Sequence, residues 1–403
     1  MIKKSFYDVV KKMRPCFFKA IEADANALIA AGASQQPIMS TEFSGSNYAQ
    51  LEDNELKKFY DWMEINYGLS KIDIINNWYS LKDSPNIQRW VNMTTQLTLE
   101  YCSLVNFNMF GRKLFQFEEN LCEHLSHTEV NMISDFIKLP FQSCLFTYHS
   151  KPIIDAFHGS FGTSGIMKIN SDLIDYEAPL SVFVSMHDNY KNSNDRMLSI
   201  ISFHGKDHDH IYGTSKRQLL LIPGSSIDSC IRTDWEKINP NDIGFGFKGS
   251  NESFEPASDE DFYQGGYAYY RCILNSILYV NSSGADLVPA TSRHDEIREK
   301  AKKASTSKQK EKIMRGINKY SSVGGVIVGD NIGPIVIKNR EDGEAAKSDG
   351  VNYLRLTRRF IVRGHWRDQP YGEARALIKP IFIKPYYKGP EMADIINRPY
   401  LVK

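Results

Sequence analysis

APLSVFVSMH at 178–187 and RMLSIISFHG at 196–205 decide the fold class of this 403-residue chain. Both are short, rich in aromatic and β-branched residues, and joined by a polar connection (HDNYKNSNDRML, 187–198). That pattern predicts neighbouring antiparallel strands. FQSCLFTYH (141–149) and KRQLLLIPG (216–224) flank them with the same texture and are bounded by turn residues. Ahead of this block the period changes. SFYDVVKKMRPCFFKAIEADANALIAAG (5–32) repeats its apolar residues at helical spacing, with Pro15 as a break or a helix start. LEDNELKKFYDWMEINYG (51–68) has an acidic first turn and Gly68 after its last. SPNIQRWVNMTTQLTLEYCSLV (84–105) offers Ser84 as N-cap before Pro85, and TEVNMISDFIKLP (128–140) reads as a short helix capped by Thr128.

Beyond the central strands, DFYQGGYAYYRCILNSILYVN (261–281) is long enough to be a core helix despite two glycines. Residues 292–321 then read as a basic helical hairpin broken at STSK (305–308). VGGVIVGDNIGPIVIKN, NYLRLTRRFIVRGHW and ALIKPIFIKPYYKGP return to extended texture. The expected class is therefore α+β: a helical N-terminal third, a mostly antiparallel sheet in the middle and at the C-terminus, and the basic hairpin between. The expected organisation is 1–138 helical, 139–290 an α+β body, and 291–403 the hairpin with the C-terminal strands. The last two are readable as one continuous domain.

Composition narrows the function classes. With 42% apolar and 24% charged residues the chain is an ordinary globular one. No apolar run approaches the roughly 20 residues of a membrane span, and MIKKSFYDVVKKMRP lacks a signal-peptide core, so a cytoplasmic protein is expected. Six scattered cysteines suit neither a disulfide framework nor a zinc ribbon. The net charge of +1 conceals a split. Residues 291–403 hold 24 Lys+Arg and 13 Asp+Glu, net +11, so the other 290 residues hold 25 and 35, net −10. Such polarity fits either a polyanion-facing end or an acidic body folded against a basic one.

Three constellations carry candidate chemistry. In the basic hairpin, Arg298, Lys302, Lys303, Lys310 and Arg315 could lie along phosphates; the bland reading is a solvated helical surface. HGKDHDHIYG (204–213) gathers His204, His208 and His210 with two aspartates, a weak metal candidate that a polar hairpin tip explains as well. VRGHWRDQPYG (362–372) is the densest cluster. His365 is the one candidate acid–base, Arg363 and Arg367 suit an anion, and Trp366 and Tyr371 could stack bases. Alternation puts His365 and Arg367 on one face and Trp366 with Gly364 on the other. A buried Trp with arginines paired to the acidic body would produce the same letters, and this structural or recognition reading is preferred to catalysis. No Walker or dinucleotide loop, nucleophile elbow or carboxylate pair stands out, and no cofactor is expected.

The C-terminal block also carries a resemblance. Its order is basic helices, GGVIVG, RFIVRGHWRDQPYG, then IFIKPYYKGPE, with YVNSSGADLVPATSR upstream. This is similar to a widespread prokaryotic family of phages, plasmids and other mobile elements whose best-known member is a type V-A anti-CRISPR protein. The similarity is strongest over about 270–391. This chain is longer at its helical N-terminus, and PIFIKPYYKG replaces a more Trp-rich wording. The resemblance implies a regulatory binding protein that recognises the start of a nascent nuclease chain or its messenger, with the ribosome nearby, and leaves cleavage to a host nuclease. It marks Arg363, His365, Trp366, Arg367, Tyr371 and Lys388 as a recognition surface or its support. The alternatives are a metal-independent ribonuclease using His365, and a bare interaction module. Nothing in the sequence sets an oligomeric state.

Overall fold

The apolar runs pair into one seven-stranded sheet. Its strands are β1 (Leu114–Phe117), β2 (Ser143–Tyr148), β3 (Leu180–Asp188), β4 (Arg196–Gly205), β5 (Ile211–Leu221), β6 (Leu287–Ala290) and β7 (Gly325–Val328). Their order is β5-β4-β3-β2-β1-β7-β6. β2 to β5 form an antiparallel meander, as their texture predicts. β1 is different: it runs parallel to both β2 and β7. The structure, a computed structural model, describes residues 2–32, 36–38, 61, 64–65, 68, 70, 88–162, 175–188, 194–205, 211–235, 259–315, 317, 320–337 and 359–388.

Helices cover both faces of the sheet. On one face lie α1 (Phe6–Met13), α2 (Pro15–Ala30) and α3 (Gln88–Met109). Phe6, Phe18 and Phe107 pack there with Leu114, Leu145, Phe183, Ile201 and Phe203, and Phe6 stacks on Phe203 at 4.3 Å. On the other lie α4 (Glu119–Ser126), α5 (Lys151–Gly162), α6 (Ile227–Trp235) and α7 (Asp259–Asn281). They bury Phe115, Phe146, Val182 and Ile200, the alternate residues of the same strands. Strands buried on both faces show no inside–outside alternation, and SCLFTY and SIISF accordingly run through apolar and small polar residues without a charge.

The N-terminus is tied down by specific bonds. Arg14 separates α1 from α2, and Pro15 takes the first helical position where its missing N–H costs nothing. The Asp8 carboxylate accepts from the Ser5 N–H at 3.1 Å, which caps α1. Its other oxygen accepts from the Ser322 N–H at 2.7 Å, joining α1 to the chain just before β7.

The segment 128–140 does not form the expected helix. Thr128 lies at the end of α4, where its hydroxyl donates to the His124 carbonyl at 2.7 Å, and it forms a parallel bridge with Gly364. Only Ser134–Phe136 makes a single 3-10 turn. The backbone of this segment is committed elsewhere: Ser134 N–H donates to the Ser225 carbonyl at 2.9 Å, and the Met132 carbonyl accepts from Ile227 N–H at 3.0 Å. Long-range partners thus outcompete a local helix. Ser84, Pro85 and most of 51–68 lie outside the described residues.

The core holds neutral histidines. His158 Nε2 on α5 stands 2.8 Å from His204 Nδ1 on β4, in hydrogen-bond contact. Burial pulls His149, His158 and His204 each down to about 4. Their folded pKa values lie below the ordinary value near 6.5, so between pH 6.5 and 4 the unfolded chain binds more protons. Stability is therefore fully present above pH 6.5 and is lost as pH falls through that window. For one such group the loss at pH 5 is about 2 kcal/mol. Urea midpoints measured from pH 7.5 to 5 should fall steadily. A flat profile contradicts the buried neutral histidines.

Candidate recognition surface

The C-terminal cluster is built as an anchored β-ribbon. β8 (Phe360–Val362) leads into β9 (His365–Tyr371), and β10 (Leu377–Ile383) leads into β11 (Tyr386–Lys388). β9 pairs antiparallel with β10, and β8 with β11. The turn between β9 and β10 needs left-handed backbone at Gly372, Ala374 and Arg375.

Trp366 is the anchor. It is 2% exposed, and its indole N–H donates to Asn275 Oδ1 on α7 at 2.8 Å. Phe382, its partner across the ribbon, lies 5.2 Å away ring to ring, and Tyr279 meets Phe382 edge-on at 5.6 Å. Asn131 then grips the backbone of the same residue. Its Oδ1 accepts from Trp366 N–H at 3.1 Å, and its amide donates to the Trp366 carbonyl at 3.2 Å.

Asn275 is a hub with every amide group used. While Oδ1 takes the indole, Nδ2 donates to the carbonyls of Leu125 at 3.1 Å and Thr128 at 2.8 Å. The ribbon, α7 and the end of α4 therefore meet at one buried side chain. Gly364 seals the joint. It exchanges backbone bonds with His127 and Glu129, at 3.0 and 2.9 Å. A Cβ at 364 would sit 2.5 Å from Thr128 Oγ1 and 2.8 Å from the Ile383 carbonyl oxygen, which leaves room for glycine alone. Arg363 pairs with Glu129 at 2.9 Å. Burial, then the Arg271 and Arg363 charges, push the His127 pKa down and favour neutral imidazole.

The register assigns the outer surface. Opposed residues share a face, so His365, Arg367, Gln369 and Tyr371 line up with Ile383, Ile381, Lys379 and Leu377. His365 and Arg367 are exposed. At the tip Tyr371 is 43% exposed and Leu377 53%, with Lys379 Nζ 5.4 Å over the Tyr371 ring. The ribbon thus offers cations beside an aromatic and an aliphatic side chain, a combination suited to recognition. Among the described residues no hydrogen bond involves the His365 side chain, and no three His, Cys, Asp or Glu residues gather as a metal site. His204 sits in the core beside His158, while His208 and His210 lie outside the described residues.

The other candidates occupy different elements. Lys388 is exposed at the end of β11. Arg298 and Lys302 lie on α8 (Arg293–Lys302), Lys310 on α9 (Ser307–Met314), and Lys303 and Arg315 at their C-caps. A polar cavity on the α3 face of the sheet, lined by Ser103, Asn106, Ser185, His187, Lys216 and Gln218, has room for about one water, too little for a cofactor. Sequence reasoning missed Asn131, Asn275 and Glu129, and gave Gly364 a face but no role. One signal was present: a lone Asn inside the apolar run CILNSILYV marks a buried polar group that must be hydrogen-bonded.

A family model described as AcrVA2-like, Anti-CRISPR type V subtype A2 family, matches residues 115–387, which is 273 of the 403 residues. The match starts in β1, well ahead of the C-terminal block that carries the resemblance in the sequence. No curated protein and no solved structure matches the chain.

Proposed function

This chain belongs to the anti-CRISPR type V subtype A2 family, and on that premise we propose that it is a regulatory binding protein that recognises a nascent peptide of a defence protein and lowers expression of its messenger. Family membership supports an anti-CRISPR function. The finer reading rests on the β9–β10 ribbon. Its inner face is fixed by Trp366, Asn131 and Asn275, so its outer face is held ready without any ordering on binding. Among the described residues β10 pairs only with β9, so its outer edge is free to add an extended peptide as a further strand. Exposed side chains at the tip would then select among sequences.

The experiment is an interference assay in cells carrying a type V nuclease. The double variant Arg367→Glu with Tyr371→Ala changes two exposed residues and should keep the thermal midpoint. It is expected to lose protection by tenfold or more. Full protection by a folded double variant would overturn the ribbon as the recognition surface. RNA cleavage by pure protein that disappears in His365→Ala would replace binding by catalysis.

A further inference from the structure

We infer that the α8–α9 hairpin is a second contact surface, one that grips the phosphate backbone of a nucleic acid without reading its bases. It goes beyond the ribbon and stands on other residues. Ser292 caps α8 by accepting from the His294 N–H, and Thr306 caps α9 by accepting from the Gln309 N–H. Both helix starts are thus fixed and the hairpin is preformed. α8 buries Ile297 and Ala301, and α9 buries no residue. Everything else on α9 faces outward or lies half-buried.

The charge on that outer surface is predominantly positive. Residues 293–315 hold nine Lys+Arg and four Asp+Glu, net +5. Two ion pairs are internal, Lys302–Glu299 at 2.6 Å and Arg315–Glu311 at 2.9 Å. Arg298, Lys300, Lys303, Lys308, Lys310 and Lys312 are exposed and make no ion pair among the described residues. Lys308 and Lys312 stand four apart on one helix face, a spacing at which like charges repel. The fold gains nothing from that repulsion, whereas a line of phosphates relieves it.

The partner follows from what accompanies the charge. A membrane-surface helix needs an apolar face, and among the described residues no large hydrophobic between 293 and 315 is highly exposed. Base stacking needs an aromatic platform, and 293–315 contains no Phe, Tyr or Trp. His294 is turned to the Tyr320 carbonyl at 2.9 Å. What remains is phosphate contact alone, which RNA and DNA backbones both supply.

The test uses full-length protein and fluorescent 20-mers: an RNA duplex, a DNA duplex, and single-stranded U and A runs, from 50 to 200 mM salt. If about four phosphates are engaged, affinity should fall about 100-fold or more over that range. The triple variant Lys300→Glu, Lys303→Glu, Lys310→Glu should bind at least tenfold more weakly with a shallower salt slope and an unchanged thermal midpoint. The ribbon variant Arg367→Glu with Tyr371→Ala should bind as the parent does, which separates this surface from the ribbon. Absence of binding at 50 mM salt overturns the inference. So does a triple variant with the parent's affinity and slope, or a tenfold preference between U and A runs.

Discussion

Trp366→Ala is expected to destabilise the protein by about 3–5 kcal/mol, the usual range for emptying a fully buried tryptophan site. The indole is 2% exposed and packs on Phe382, so its removal leaves a cavity between the ribbon and α7. Trp366→Phe is the sharper probe. Phenylalanine restores most of the ring contact but has no N–H. Asn275 Oδ1 would then be buried without its donor, at a cost of about 1–3 kcal/mol. This is the physical reason for tryptophan at 366. The bond reaches a side chain that also holds Leu125 and Thr128, so losing it loosens three elements together. Urea unfolding of both variants measures these costs. A Trp366→Phe protein as stable as the parent would contradict the account of the anchor.

The second large effect lies at the other end of the chain. Arg14 and Glu100 form a buried pair, Nη1 to Oε2 at 2.9 Å, with side chains 4% and 0% exposed. Arg14→Met removes the guanidinium from a carboxylate that water cannot reach, and about 3–5 kcal/mol should be lost. The pair is imperfect, because Arg14 Nε and Nη2 find no hydrogen-bond partner among the described residues. Glu100 keeps further contacts, so replacing both members, Arg14→Met with Glu100→Leu, should recover only part of the loss. Chemical denaturation of the single and double variants decides this. A double variant less stable than the single one would show that the pair itself stabilises the joint between α2 and α3.

Much of this architecture was written locally. The meander β2–β5 followed from short β-branched runs between polar turns, and α7 from its length and apolar character. STSK broke the basic hairpin where Thr306 caps α9. β1 was not legible, because four residues buried on both faces show no alternation. Its parallel pairing to β2 and β7 is set by distant chain that no local pattern reports. The helix expected at 128–140 failed for the same reason: Gly364 and Ser225 take its backbone groups from far along the chain.

In the ribbon, the letters RGHWR marked a dense cluster but not which residues anchor it. Alternation correctly separated Trp366 from His365 and Arg367. What it could not give was the identity of the partners, since Asn131 and Asn275 lie 235 and 91 residues from Trp366. The glycine of the motif is explained only by the Thr128 and Ile383 atoms that crowd it.

The most direct test of the regulatory reading is made in translating cells that carry a panel of host and CRISPR-nuclease genes. The protein is expressed, and messenger levels and its ribosome association are profiled together. The account predicts selective loss of one defence messenger, with the protein on the ribosomes translating it. Unchanged messenger levels together with no ribosome association, or loss of RNA across the panel, would contradict it.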